Sequence, residues 1–304
     1  MSIEIVPFEA EEHLNWSTLG DAFLAGHKLP RAEVGDTFLY RGEDTMLSRA
    51  AWIDGLGSAV KTANIVPGNV ARGLGSIQGA VNLYNDVTGE LEALVDFLLV
   101  TKWKTAGDSV LGARLLARPD SEVILIVGAG TVARALREAY GATFPAARFL
   151  IWNRSPAGAE AIAADFPDTE VAPDLEAAVR VADIVTSATM TTEPILKGEW
   201  LRPGQHLDLI GAYRPDMREA DDDVLKRARL FMDSRDTVLD HIGEFKDPLA
   251  RGIITRDDVA GDYYDVVSGA FSRNPEDITL FKNGGGAHLD LMTSTYILQA
   301  WRMR

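Results

Sequence analysis

The chain of 304 residues contains no cysteine, which excludes disulfides, cysteine-ligated zinc or iron–sulfur centres and thiol nucleophiles. Its apolar runs, such as 97–100 and 123–127, are far shorter than the roughly 18 residues that a membrane-spanning helix needs. The first residues are acidic where a signal peptide would carry a basic and then an apolar segment. We therefore expect a cytoplasmic protein without a membrane partner.

Positive charge is also scarce, because 30 Lys and Arg face 45 Asp and Glu, for a formal net charge of −15. A surface of this sign repels phosphate backbones, so nucleic acid is not an expected partner. The hydrophobic fraction of 46% and the charged fraction of 25% are typical of a globular protein, and the length favours two domains.

The first part of the chain has the pattern of a mixed, strand-rich domain. Short runs rich in β-branched and aromatic residues alternate with turn signals at 3–6, 37–40, 60–66, 77–84 and 91–95. Asn, Asp and Gly at 85–90 suit a hairpin loop. A helical pattern over 104–117 ends before Pro119, because proline discourages the helix from continuing.

After Pro119 the pattern alternates between strand and helix. Apolar strands are predicted at 123–127, 149–152, 183–186, 206–210 and 278–281, with helices at 157–166 and 175–182 and a helical pattern at the C-terminus. The alternation predicts an α/β fold with a Rossmann-type doubly wound parallel sheet, beside a mixed α+β domain. We assign 119–281 to the NAD(P)-binding domain and 1–118 with 282–304 to the other.

A glycine motif follows the strand at 123–127. Gly128 would allow the tight turn, Gly130 would let the backbone approach a pyrophosphate, and Ala133 would let helix and strand pack closely. The anion would lie on the helix N-terminus. The predicted cofactor contacts here are Gly128, Ala129, Gly130, Thr131 and Val132.

The end of the next strand, at 149–152, bears on the choice of cofactor. A carboxylate there would accept from a ribose 2′-hydroxyl, whereas an arginine pairs with a 2′-phosphate. The chain has Asn153, Arg154 and Ser155 at this point and no acid, so we predict NADP(H) over NAD(H).

Nine segments resemble the ornithine cyclodeaminase/mu-crystallin family in order along most of the chain. They are LPR (29–31), VKTANIVPGN (60–69), GSIQGAVNLYNDVTGE (75–90), KTAGDS (104–109), IVGAGTVARA (126–135), IWNRS (151–155), GAYRPDMRE (211–219), MDSR (232–235) and ITLFKNGGGAHLD (278–290). The resemblance implies a homodimer in which the C-terminal helix joins the N-terminal part of the chain to form the mixed α+β substrate-binding and dimerisation domain. With it, the predicted cofactor contacts extend to Ser187, Ala188, Thr189, Tyr213 and Gly286.

The resemblance also implies a carboxylate site. Arg31 and Lys61 match positions where the family binds the substrate carboxylate, and Lys61 also lies beside the reacting carbon. Lys104 stands where the family usually has an arginine for the same carboxylate, and lysine lacks the planar fork of that side chain. Asp108 stands where a small residue is usual, and would meet a substrate ammonium or pair with Lys104.

One departure from the family pattern separates two chemistries. The ring-closing, deaminating members carry an Asp in a Gly-x-Asp that this chain replaces with Gly211, Ala212 and Tyr213. The segment that follows resembles the branch with ketimine reductases. We therefore predict NAD(P)H-dependent reduction of a small α-imino acid, such as Δ1-pyrroline-2-carboxylate or Δ1-piperideine-2-carboxylate, without a metal.

Lys61 is the first candidate for the proton relay, since we expect burial and neighbouring charge to ease its deprotonation, and Asp108 or water is the alternative.

The alternatives are an ornithine cyclodeaminase or amino acid dehydrogenase of the same fold, and a non-catalytic protein that retains NADPH.

Overall fold

The computed structural model describes residues 3–304. In chain order the strands are β1 (Glu4–Val6), β2 (Glu33–Arg41), β3 (Asp44–Ile53), β4 (Gly57–Ile65), β5 (Ile77–Tyr84), β6 (Leu91–Asp96), β7 (Val123–Val127), β8 (Arg148–Trp152), β9 (Thr169–Val171), β10 (Ile184–Ser187), β11 (His206–Leu209), β12 (Ala228–Met232), β13 (Val259–Asp262) and β14 (Ile278–Lys282). The α-helices are α1 (Trp16–Gly26), α2 (Phe97–Leu116), α3 (Thr131–Thr143), α4 (Pro156–Asp165), α5 (Leu175–Val181), α6 (Asp222–Arg227), α7 (Arg235–Val238), α8 (Gly243–Ala250) and α9 (Ala287–Arg302).

The chain divides into two compact units. Unit 1 comprises Met1–Lys104 with Gly285–Arg304, and unit 2 comprises Thr105–Gly284. The sequence pattern places the boundaries at 118/119 and 281/282 instead. The predicted boundary lies at the end of the helix expected over 104–117. The observed helix α2 begins earlier, at Phe97, and its residues are divided between the two units.

Unit 1 is built on a six-stranded sheet in the order β1-β6-β5-β4-β3-β2, in which β1 runs parallel to β6 and the other neighbours are antiparallel. Because side chains alternate along a strand, Ala59, Lys61 and Ala63 of β4 share one buried face. The C-terminal helix α9 packs against this sheet and is buried along most of its length. This packing brings Lys61 to the start of α9.

Unit 2 is an eight-stranded, fully parallel sheet in the order β13-β12-β14-β11-β10-β7-β8-β9. The residues Ile124 to Val127 of β7 are buried, as expected for a strand with both faces covered. The strand order reverses at β7, which pairs with β8 on one side and β10 on the other. Ligands of such sheets bind beyond the carboxyl ends of the strands at this switch point.

The predicted fold class is confirmed, and the predicted β5 and β7 have the observed bounds. The strands β3, β9, β12 and β13 were not predicted, and the predicted β2 covered only 37–40. Within residues 3–304, no helix has the length and apolar character needed to cross a bilayer.

Candidate active site and dinucleotide site

The glycine turn follows β7 at the switch point of unit 2. Gly128 has a φ of +110°, and a Cβ there would lie 2.8 Å from the carbonyl oxygen of Ala188. Its N–H donates to the carbonyl oxygen of Trp152 at 2.8 Å. Only glycine fits, because a side chain would meet both an unfavourable φ and the loop after β10.

Beyond this turn, α3 presents its N-terminus. Gly130 is the N-cap residue, and a Cβ on it would meet no atom of the described chain within 4 Å. Ala133 is fully buried in the first turn of α3, whereas Thr131 is exposed and Val132 is half-buried. The first backbone N–H groups of α3 therefore border open space, and the turn fits the pyrophosphate of a dinucleotide.

The end of β8 carries the residues that the sequence assigned to cofactor choice. Asn153 donates from its side-chain amide to the carbonyl oxygen of Ser155 at 2.8 Å, and Ser155 is the N-cap residue of α4. Arg154 is exposed. The guanidinium is therefore accessible to a ligand from solvent.

The loops after β10 and β11 carry the other predicted cofactor contacts of unit 2. Ser187 is fully buried, Ala188 and Thr189 are half-buried, and Tyr213 is 58% exposed. The side chain that ties these loops together is Glu219, which sequence reasoning did not identify. Its only signal was an acidic residue at the end of a segment shared with the family.

A second buried carboxyl and a buried cation lie in the same unit. Glu244 accepts from the N–H groups of Glu219 at 2.7 Å and Ala220 at 3.1 Å. Burial and the neighbouring Glu219 raise the pKa of Glu244 to about 7. Lys282 donates its ammonium to the carbonyl oxygens of Leu209 and Asn283, both at 2.8 Å.

In unit 1, Lys61 forms an ion pair that the sequence did not predict. Its Nζ donates to Oδ1 of Asp290, in the first turn of α9, at 2.9 Å, and both side chains are buried. The ammonium also lies 4.9 Å from the centroid of the Phe97 ring. The sequence indicated neighbouring cations, whereas the fold also gives Lys61 a carboxylate partner.

Two more cations converge on one carbonyl group. Lys104 and Arg49 each donate to the carbonyl oxygen of Gly285 at 3.1 Å. Lys104 is buried and lies in α2, while Arg49 lies in β3 and also pairs with Asp36 at 2.9 Å. Arg49 was not among the predicted site residues.

Arg31 is exposed but belongs electrostatically to the same region. It contributes to lowering the pKa values of His27 and His288, whose rings lie edge to face with centroids 5.2 Å apart. Burial is the larger cause and brings the pKa of His27 to about 4. His27 donates from Nδ1 to the carbonyl oxygen of Phe23 at 2.7 Å, and both imidazoles are neutral near pH 7.

The charge balance of this cluster is positive. Burial opposes ionisation of Asp290, yet Lys61, Lys104 and Arg49 together hold its pKa below the ordinary value. Asp290 is therefore an anion, and Oδ2, its second oxygen, has no hydrogen-bond partner within residues 3–304. Unit 1 thus brings together the predicted Arg31, Lys61 and Lys104, with one buried carboxylate among them.

Two further acids, the predicted Asp108 and also Asp208, lie in unit 2. Asp108 is fully buried in α2, where Tyr263 donates its hydroxyl to the backbone carbonyl oxygen of Asp108 at 2.9 Å. Asp208 accepts from Thr186 at 2.6 Å and from Tyr140 at 3.2 Å. Burial raises the pKa of Asp208 to about 6. Gly286, predicted as a cofactor contact, is the buried N-cap residue of α9 in unit 1.

Comparison with known proteins identifies the family of this chain. A model of the ornithine cyclodeaminase/mu-crystallin family matches residues 50–304. The chain belongs to this family. It is 52% identical over 296 residues to Delta(1)-pyrroline-2-carboxylate reductase of Paracoccus denitrificans, covering 95% of this chain and 94% of that protein. It is 35% identical over 227 residues to ketimine reductase mu-crystallin of Mus musculus, covering 74% and 70%.

A solved structure extends the likeness to nearly the whole chain. Thermococcus litoralis Delta(1)-pyrroline-2-carboxylate reductase in complex with NADH and L-proline matches with a TM-score of 0.87 at 25% identity, covering 99% of this chain and 98% of that one. The resemblance drawn from the sequence motifs is therefore confirmed.

Proposed function

We propose that this family member is an NAD(P)H-dependent reductase of small cyclic α-imino acids, such as Δ1-pyrroline-2-carboxylate or Δ1-piperideine-2-carboxylate. The observation that carries the proposal is the buried cationic cluster of unit 1, in a chain whose net charge is −15. The glycine turn of unit 2 supports a dinucleotide cofactor. The names of the Paracoccus and Thermococcus relatives support the imine substrate.

Arg31, Lys61 and Lys104 would hold the substrate carboxylate. Charge-assisted hydrogen bonds of this kind are about twice as strong as neutral ones, and burial of Lys61 and Lys104 shields them from water. Lys104 and Arg49 already converge on a carbonyl oxygen at hydrogen-bond distance. A carboxylate oxygen is a stronger acceptor for the same donors.

A reduced nicotinamide, when bound, supplies the hydride that converts the C=N bond into an amine. The protein must favour the protonated imine, which accepts hydride more readily than the neutral one. Lys61 is the proposed proton donor, and Asp290 orients its ammonium through the 2.9 Å hydrogen bond. Asp290 also offsets part of the positive charge that would repel a protonated substrate.

For the cofactor we propose NADP(H) over NAD(H). The support is the exposed Arg154, with Ser155 beside it, at the end of β8, where an acid would favour NAD(H). A guanidinium pairs with a 2′-phosphate through two parallel hydrogen bonds.

We also propose that two copies of the chain form a homodimer through the ribbon of β2 and β3. All nine residues of the edge strand β2 are exposed, including Val34, Phe38, Leu39 and Tyr40. An exposed apolar edge strand is a template for pairing unless it is covered. A second copy of this chain would cover it.

The test is the oxidation of NADPH, followed by absorbance, with a panel of cyclic and linear imino acids. We expect turnover with the cyclic ketimine carboxylates and no ammonia release from ornithine. Ammonia release from ornithine without net cofactor turnover would instead identify a cyclodeaminase. A cofactor-saturated protein without activity on any imino or amino acid would contradict both enzymatic functions.

A further inference from the structure

We propose that Glu219 is a positioning residue for the dinucleotide, an anchor that fixes the loops after β10 and β11 at the carboxyl edge of the parallel sheet. The inference rests on the proposed function, because it concerns the cofactor site of that enzyme. It assigns to one buried carboxylate the task of holding the backbone on which the cofactor would lie.

The first observation is the number of donors that converge on this side chain. Oε1 of Glu219 accepts from the Ser187 hydroxyl at 2.6 Å, and from the N–H and hydroxyl of Thr189 at 2.8 and 2.9 Å. Oε2 accepts from the N–H groups of Gly211 at 2.6 Å and Ala212 at 3.2 Å. One carboxylate thus binds both loops, and the chain enters each of them from a different strand.

The second observation is that the anchored loops reach the glycine turn. Ala188, between the two anchored residues Ser187 and Thr189, donates its N–H to the carbonyl oxygen of Val127 at 2.8 Å. The carbonyl oxygen of Ala188 is also the atom that leaves no room for a side chain on Gly128. Through Ala188, Glu219 therefore fixes the position of the backbone that packs against the glycine turn.

The third observation is how little freedom the anchored loops have. A Cβ on Gly211 would lie 2.0 Å from the carbonyl oxygen of Thr189 and 2.6 Å from Oε1 of Glu219. The two loops are therefore packed backbone to backbone around the carboxylate. An error of about 1 Å in such a site is enough to cost a large factor in ligand binding or rate.

The anchor itself is held from behind. Its N–H donates to Glu244, and its carbonyl oxygen accepts from the N–H groups of Ile195 and Leu196 at 3.0 and 2.9 Å. Burial raises the pKa of Glu219, and the positive charge of Lys282, fully buried on β14, opposes this shift. The carboxylate form is the one that can accept from all five donors.

The experiment compares Glu219→Gln with Glu244→Gln. The glutamine at 219 keeps the size of the side chain but turns an NH2 group toward donors, so one loop loses its acceptor. Glu244 is equally buried, but within residues 3–304 the hydrogen bonds that its carboxylate accepts come from the backbone N–H groups of 219 and 220 and not from the two loops. The readouts are the Kd for NADPH and NADH, from the fluorescence of the bound nucleotide, and the Tm of the protein alone.

We expect Glu219→Gln to raise the Kd for both nucleotides about tenfold or more, whereas Glu244→Gln lowers the Tm but leaves the Kd within about twofold. If Glu219→Gln lowers only the Tm, or if both variants weaken binding equally, Glu219 is a structural residue and the proposal fails. Should Glu219→Gln not fold, Ser187→Ala removes one donor from the anchor, and we expect a Kd about threefold higher. An unchanged Kd would overturn the anchor, and an unaltered protein that binds neither nucleotide would overturn the cofactor assignment as well.

Discussion

Replacing Asp290 with asparagine should destabilise the protein more than replacing its partner Lys61 with methionine. The two side chains form one buried ion pair, so a simple pair model predicts similar losses for the two variants. The surroundings make the pair unequal, because Asp290 is the carboxylate on which Lys61, Lys104 and Arg49 act. Asp290→Asn keeps the size and one oxygen acceptor, removes the charge and replaces the other oxygen with an NH2 group.

The magnitude follows from the geometry. Opposite charges 4 Å apart attract by about 4 kcal/mol at an effective dielectric constant near 20, and breaking a buried ion pair costs about 3–5 kcal/mol. Asp290→Asn should fall in this range, since three cations lose their buried counter-charge together. Lys61→Met leaves Asp290 with Lys104 and Arg49, and should cost about 1–3 kcal/mol.

The assay is urea unfolding at neutral pH of the two single variants and of the double variant. We expect the double variant to be more stable than the sum of the single losses predicts, by about 2 kcal/mol. Asp216→Asn is the control, because it removes an ion pair with Arg214 at the same 2.9 Å but at the surface, and the unfolding midpoint should not move. A loss for Lys61→Met equal to or greater than that for Asp290→Asn would refute the positive charge balance of the cluster.

Lys61→Met should also reduce imine turnover by orders of magnitude while nucleotide affinity stays unchanged, and surviving activity would remove Lys61 from the chemistry.

Three further predictions concern the cofactor, the pH dependence and the assembly. Arg154→Ala should weaken NADPH binding about tenfold and NADH binding little, and equal losses would reject the cofactor preference. Burial lowers the pKa of His206 in the folded protein to about 3. The neutral imidazole therefore makes its full contribution to stability above pH 6.5, and this contribution declines below pH 6.5, where the unfolded state binds a proton. The free energy of unfolding of the unaltered protein relative to His206→Asn should therefore fall by about 2 kcal/mol from pH 6.5 to pH 5, and a constant difference would contradict this. Phe38→Glu with Tyr40→Glu should give a monomer by light scattering, whereas Val87→Glu, on an exposed hairpin residue, should not change the mass.

The elements that the sequence predicted well are those whose pattern is local. The buried strand β7 is a continuous apolar run, and the glycine turn after it needs only neighbouring residues. The strand β3 was missed, because its ten residues mix polar and apolar side chains with half-buried positions. Its place is set by pairing with β2 and β4, which a local pattern does not reveal.

The same distinction holds for the site. Lys61 and Lys104 were recognisable because each lies in a segment shared with the family. Asp290 also ends a shared segment, but it and Arg49 gain a role only when α9 packs against the sheet and brings distant segments together. The role of Glu219 also depends on the fold, because two of its donor residues, Ser187 and Thr189, lie 32 and 30 residues away along the chain.

The burial of the cationic cluster has a kinetic consequence. An anionic substrate approaching the molecule first meets the field of a chain with a net charge of −15, and only later the cations that bind it. Mobile ions screen exposed charges over about 10 Å at 0.1 M salt, but they screen buried charges much less. Moderate salt should therefore accelerate capture of the acid while its residence time changes little, the reverse of the usual behaviour of electrostatically steered enzymes.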